Sequence, residues 1–355
     1  MRLELYPSMF GDKERLLCAF GEIAVSTFQF DSGVAGLRVK NARGEIVMLP
    51  FQGQQIWSAS FDGRDLTMRS MFDAPRQTQN YLETYGGFLI HCGLAGLGAP
   101  GPGDTHPLHG ELPNAKFQSA WLEVEPDKVT VSGSYQHIVA FSTNYRATIR
   151  TTLNASSSLL DVSVQVENLK RTSMDLMYLG HANFRPVDHG ELHYTAEYSP
   201  DTVRVRRSIP SHVTPKPGYA EFLEELAEDP TGHHVLRPGL AFDPEVVFEI
   251  DMKGDEDGFA HAVQKHPDGS ADYIRCRPDQ ARLCTRWICR TPDQDGLGIA
   301  FPATSGVEGY TVEKSKGRVE TVAGGNSWRL DMQLGLLAAE ETSDMIEKIK
   351  RVRAV

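Results

Sequence analysis

The 355-residue sequence has little cysteine, a deficit of positive charge and no long apolar run. Its five cysteines, Cys18, Cys92, Cys276, Cys284 and Cys289, are an odd number with no C-x-x-C pair. That argues against a zinc ribbon and a disulfide scaffold, and leaves free thiols in a reducing cytoplasm as the expectation. Lys and Arg total 36 against 47 Asp and Glu, a net charge of −11. Phosphate contacts need clustered cations, so no nucleic-acid partner is expected. The one short basic cluster, VRVRRS at 203–208, alternates like a strand face. No stretch approaches the ~18 apolar residues of a membrane span. The opening MRLELYPSMF carries acids early and no apolar core, unlike a secretory signal. The expectation is a soluble cytoplasmic protein with no membrane partner. Helical periodicity is also scarce: AEFLEELAED (220–229) and EETSDMIEKIKRVR (340–353) are the two candidates. The second has Thr342 or Ser343 as its expected N-cap and acids before bases, which suits the helix dipole.

What is abundant is alternation. VTVSGSYQHIV (129–139), YRATIRTTLN (145–154) and LLDVSVQVENL (159–169) are period-two segments rich in Val, Ile, Thr and Tyr, separated by Ser, Asn or Asp turns. That pattern predicts antiparallel strands with one face buried. DLMYLGHANF (175–184), TVRVRRSI (202–209), EVVFEID (245–251), DYIRCRP (272–278), GLGIAFPAT (296–304) and SWRLDMQLGLL (327–337) extend it. A dozen or more short strands, with no internal repeat and no linker, predict one all-β domain over residues 1–355, a large sandwich or barrel. The 40% apolar and 23% charged residues are ordinary for such a globular chain.

Three stretches carry chemistry. NYLETYGGFLIHCGLAGLG (80–98) surrounds His91 with glycines, which in strands mark close backbone approach. DTHPLHGELPN (104–114) delivers His106 and His109 from the loop that follows. In YLGHANFRP (178–186), His181 and Asn183 share one strand face. An imidazole there suits acid–base work near neutral pH. His91, His106 and His109 as a metal triad rank well below a sugar-binding reading, because H-x-x-H on a loop is not the helical pair of zinc proteases. No metal and no cofactor are expected.

LTMRS (66–70), NYLETYGGFLIHCGL (80–94), HPLHGELPN (106–114), GHANF (180–184) and WICRTPDQDGLGIAFPATSGVEGY (287–310) together resemble the aldose 1-epimerases of the galactose-mutarotase-like superfamily, and more closely an uncharacterised aldose-epimerase-like branch of it. The resemblance covers nearly the whole chain. It implies a galactose-mutarotase-like β-supersandwich with few short helices, whose concave sheet holds one sugar. It also implies interconversion of sugar anomers by a carboxylate that takes the anomeric proton and a histidine that protonates the ring oxygen. On that resemblance His181 is the proton donor, and His109 binds sugar near the ring oxygen. Arg69, with Arg76 as competitor, is the upstream sugar-binding arginine. His91, Glu111 and Asn183 are expected to bind substrate.

One feature of the resemblance is missing. Where the family places its catalytic glutamate, before Pro302, this sequence has Phe301. Glu308 and Glu313 are the nearest replacements, with Asp251 another candidate. Phe301 is expected instead to stack on the sugar, as are Trp57, Tyr85, Phe184 and Trp287. The readings rank as an anomer-interconverting isomerase, or an epimerase or isomerase of another keto or anionic sugar, with Arg69, Arg76 and Arg185 available to an anionic group; then a non-catalytic sugar-binding protein; then a metal-dependent sugar enzyme. A homodimer through the C-terminal helix is a further expectation.

Overall fold

The computed structural model describes residues 1–209, 214–239 and 242–354. The described strands form two antiparallel sheets, one of ten strands and one of thirteen. The ten-stranded sheet is built around the hairpin Lys128–Val139 and Thr143–Asn154, paired in register along its whole length. Along its second strand Tyr145, Ala147, Ile149, Thr151 and Leu153 are buried while the intervening residues are partly or fully exposed. The same period-two rule that named this strand from sequence therefore sets its inner face. Each fully buried Leu, Ile or Val of this kind contributes about 1.5–3 kcal/mol.

The thirteen-stranded sheet opens with a meander that the sequence reading did not assign: Arg15–Phe20, Ile23–Gln29, Ala35–Lys40, Gly44–Met48 and Ile56–Phe61. The first of these is a largely exposed edge with a register shift between Leu16 and Cys18, which blurs its alternation. The sheet continues through Leu89–Leu94, Met174–Ala182, Asp295–Ala303, Leu283–Arg290, Val246–Ile250 and Val203–Val205. It is this second half that carries the site.

Helices are few: Tyr219–Glu228, Tyr310–Ser315 and Ala339–Ala354 among the described residues. The C-terminal helix starts earlier than its sequence suggested. Thr342 N–H already donates to Ala338 O, so Thr342 and Ser343 lie in its first turn, and Glu341 caps the start by accepting from Ala338 N–H at 2.8 Å. Its Ile346 and Ile349 pack with Val263, Tyr273 and Leu337 of the ten-stranded sheet. No described helix is long and apolar enough to cross a membrane.

Candidate active site

Strand parity builds one cavity on the thirteen-stranded sheet. Leu179 and His181, Thr285 and Trp287, and Glu245 and Val247 are i, i+2 pairs on three of its strands or at their ends, so each pair faces the same way. All six line a cavity of about 320 Å³ together with Phe301, Arg206, Tyr81, Tyr85 and His109. The volume is at the lower end for small-molecule sites.

His181 is held in one tautomer. Its Nδ1 lies 2.6 Å from Asn183 Oδ1. The Asn183 amide nitrogen donates to Gly87 O at 2.9 Å, so Oδ1 is the accepting end. Nδ1 therefore carries the proton, and Nε2 is left with a lone pair. Burial lowers the imidazole pKa to about 3, against a smaller raising effect from Asn183. Burial thus favours the neutral imidazole of His181. The resemblance implies a proton donor here; in this arrangement the proton on Nδ1 faces Asn183.

The cavity does contain a carboxylate, and it is Glu245, immediately before the strand Val246–Ile250. Arg206 donates to its Oε1 at 2.7 Å and Trp287 Nε1 donates to its Oε2 at 2.8 Å. Each oxygen keeps lone-pair capacity for a further donor. Trp287 stands between the imidazole and the carboxylate: its ring is 5.5 Å from His181 on one side and its indole N–H holds Glu245 on the other. Arg206 comes from the basic cluster VRVRRS and follows the edge strand Val203–Val205.

The aromatic walls depend on the glycines of GLGIAFPAT. A Cβ on Gly296 would come 2.6 Å from the Trp287 ring, and one on Gly298 would come 2.0 Å from the Phe301 ring. Only glycine leaves room for both. Between Gly298 and Phe301 the pairing of Leu283–Arg290 with Asp295–Ala303 shifts register, a bulge of the kind that re-aims side chains at sites. Phe301 then lies against His181, ring centroids 4.1 Å apart. Opposite, Tyr81 packs 4.7 Å from His109, which is 5.9 Å from His181. The HG turn is pinned by His109 N–H to Gly98 O at 3.0 Å and Gly93 N–H to His109 O at 2.9 Å. Both His109 and Gly110 have positive φ. Burial raises the Tyr81 and Tyr85 hydroxyls well above the usual tyrosine range, so both stay protonated.

A family model described as a domain of unknown function, DUF4432, matches residues 31–336. The chain belongs to this family. No curated relative matches it in sequence. In three dimensions it is similar to a protein from Klebsiella pneumoniae provisionally assigned as an aldose 1-epimerase: TM-score 0.79, 17% identity, covering 94% of this chain and 89% of that one. It is also similar to a galactose mutarotase-like protein from Clostridium acetobutylicum (TM-score 0.61, 13% identity, 89% and 98% covered). A third, from Escherichia coli K12 and again provisionally an aldose 1-epimerase, gives 0.56 at 14% identity, with 84% and 97% covered. At these identities the likeness is one of fold: the DUF4432 chain has the galactose-mutarotase-like sandwich that its motifs implied.

Within this DUF4432 fold the residues singled out from sequence part company. His181, His109 and Phe301 meet in the cavity, with Asn183 buried behind His181. His91 sits on the other face of the same sheet, fully buried, with Nδ1 2.7 Å from Tyr178 Oη. Glu111 accepts from the backbone N–H groups of Leu94 and Ala95 at 3.1 and 3.0 Å and from Tyr145 Oη at 2.5 Å, so it anchors the end of a strand. Arg69 is exposed and reaches Thr291 O at 3.2 Å. Arg76 is exposed over the Phe72 ring, and Arg185 is paired with Asp65.

Neither carboxylate proposed as a replacement lines the cavity. Glu308 pairs with Lys316 and accepts from Ser208 Oγ at 3.0 Å. Glu313 is fully buried in the helix Tyr310–Ser315, where it accepts from Gly306 N–H at 3.1 Å and lies 3.4 Å from Glu308 N. Asp251 is engaged by both terminal nitrogens of Arg204 at 2.7 Å. Of the expected stacking residues, Trp287 and Tyr85 line the cavity, whereas Phe184 packs on Phe88 and Trp57 joins a separate core cluster. Among the described residues no three His, Cys, Asp or Glu side chains gather as a metal site. Glu245, Arg206, Tyr81, Thr285 and Gln294 were missed by sequence reasoning. EVVFEID placed a strand but not the partners that bring Glu245 into a cavity.

Proposed function

We propose that the protein interconverts the anomers of a free sugar, with His181 as the proton carrier and Glu245 as its electrostatic counterpart. The observation that carries the reading is the pairing of a neutral, tautomer-locked imidazole with a carboxylate across one cavity. The anomeric and ring oxygens are bonded to the same carbon, so one imidazole nitrogen can serve both. His181 Nε2 accepts the anomeric hydroxyl proton while the C1–O1 bond gains double-bond character and the C1–O5 bond breaks. The imidazolium so formed returns the proton to O5. The open-chain aldehyde turns about C1–C2, and the same steps in reverse close the other anomer. The Glu245 carboxylate favours the transient imidazolium and accepts a sugar hydroxyl. No cofactor enters this scheme. Starting neutral suits His181 to this role, because the first event is removal of a proton.

The reading is tested by NMR magnetisation exchange between anomers over a panel of free aldoses and ketoses. Accelerated exchange that is lost in His181→Ala and strongly reduced in Glu245→Gln supports it. A second reading, sugar binding without turnover, is favoured by Phe301, which stands where the resembled family has its carboxylate. Saturable chemical-shift changes without accelerated exchange would select it.

A further inference from the structure

Phe301 reaches His181 against the alternation of its own strand. Gly298 and Phe301 are three residues apart on Asp295–Ala303, an odd spacing that in a regular strand puts side chains on opposite faces. Yet Phe301 lines the cavity, and a Cβ on Gly298 would run into its ring, so both face the same way. The bulge reconciles the two. Trp287 stands opposite Gly298 and Thr285 opposite Phe301, so Ile299 and Ala300 together oppose the single residue Arg286. In a regular ladder Ala300 would stand opposite Thr285, and Phe301 would turn to the other side of the sheet, away from His181.

Arg286, opposite the bulge, alternates with Thr285 and Trp287 and so points to the other face of the sheet, towards Tyr194 of the ten-stranded sheet. It is fully buried. A guanidinium keeps its charge, yet no Asp or Glu among the described residues forms an ion pair with it, and its partners are neutral. Nε donates to Ile299 O at 2.9 Å, Nη1 donates to His233 Nε2 at 2.8 Å, and the guanidinium lies 4.0 Å over the Tyr194 ring. Burying a charge without a counter-ion is costly. What the guanidinium supplies, and an apolar side chain of the same size would not, is a donor to a carbonyl inside the bulge. We propose that Arg286 is a positioning residue: from the far face of the sheet it holds the Ile299–Ala300 bulge and thereby keeps Phe301 against His181. It touches no substrate. The inference deepens the reaction proposed above and rests on it only for the rate measurements; the placement of Phe301 is read independently.

Placement is read from the proton NMR signals of the His181 imidazole, which the Phe301 ring shifts from 4.1 Å away. The rate is read from anomer exchange, and folding from urea unfolding. Arg286→Met should move the His181 signals towards those of Phe301→Leu. Each variant should lower kcat by about 10²-fold, the scale of a small misplacement, with KM changing less. The double variant should be little slower than either alone, because both act through one ring. Unchanged His181 signals and kcat in folded Arg286→Met would overturn the inference, as would losses that multiply in the double variant. Arg286→Lys keeps a charged donor and should move the same signals by less. If Arg286→Met does not fold, Arg286→Lys takes its place in the test; loss of folding in both assigns Arg286 to the core and also overturns the inference. His181 signals that move in Arg286→Met, in a protein that accelerates no sugar's exchange, would leave the positioning role standing and remove the proposed reaction.

Discussion

His91 and His181 are neighbours that live on opposite sides of one sheet. In the pairing of Leu89–Leu94 with Met174–Ala182, His91 stands opposite Gly180 and His181 opposite Ile90. Both are buried, and burial lowers both to a pKa of about 3. Yet His91 faces the sandwich interior, bonded to the Tyr178 hydroxyl, while His181 faces the cavity with Asn183 at its back. A one-residue offset in a period-two element decides which imidazole can meet a ligand. Neither burial nor pKa separates them.

Replacing each should break that symmetry most sharply. His181→Ala should lower the anomer-exchange rate by about 10²–10⁴-fold, the usual weight of a positioned proton-transfer group, with little change in the denaturation midpoint. His91→Ala should do the reverse. It leaves the Tyr178 hydroxyl buried without its hydrogen-bond partner, at a cost of about 1–3 kcal/mol read by urea unfolding, while kcat stays near that of the parent. Loss of activity in His91→Ala at full stability would put the wrong histidine in the site. Next in size, Glu245→Gln keeps the shape but removes the charge facing the imidazolium, and should cost about 10²-fold.

The same comparison fixes the pH behaviour. His181 must be neutral at Nε2 to accept the first proton, so kcat/KM should be flat from about pH 6 to 9 and fall only towards acid, with no alkaline limb. An alkaline decline would mean that a protonated donor is needed after all. In the pH dependence of stability the two histidines act alike. In the unfolded chain each binds a proton below pH ~6.5, whereas in the fold each stays neutral down to about 3. Stability is therefore full above pH ~6.5 and is lost as pH falls through that window, by up to ~1.4 kcal/mol per pH unit for each. His91→Phe should make the decline between pH 7 and 5 shallower, measured by urea unfolding at both.

Parity was legible in the sequence wherever alternation was clean. It placed His181 and Asn183 together and identified the strand carrying Glu245. What could not be read is which strands become neighbours. Glu245 enters the site because Val246–Ile250 pairs with Leu283–Arg290, putting Val247 opposite Trp287. Arg206 enters because the edge strand joins on the far side. These contacts link residues some forty to eighty positions apart, and local pattern holds no record of them. Resemblance supplied the fold and drew attention to Phe301, but it also directed the search for a carboxylate to the chain just after Pro302. The two glutamates found there are taken up by structural contacts, Glu308 with Lys316 and Ser208 and Glu313 inside the helix Tyr310–Ser315.

Those two glutamates give the mildest comparison, buried against partly exposed. Glu313 is buried, its pKa raised by desolvation, and its oxygens face the backbone N–H groups of Gly306 and Glu308. A glutamine there turns a donor towards one of those N–H groups, so Glu313→Gln should cost about 1–3 kcal/mol with kcat unchanged. Glu308 is about one-third exposed, and its ion pair with Lys316 is open to solvent and salt. Such pairs contribute little, so Glu308→Gln should move the unfolding free energy by no more than about 0.5 kcal/mol. Its anomer-exchange rate should match the parent. A large rate loss in Glu308→Gln alone would place the working carboxylate on this loop and return Glu245 to a structural role beneath Trp287.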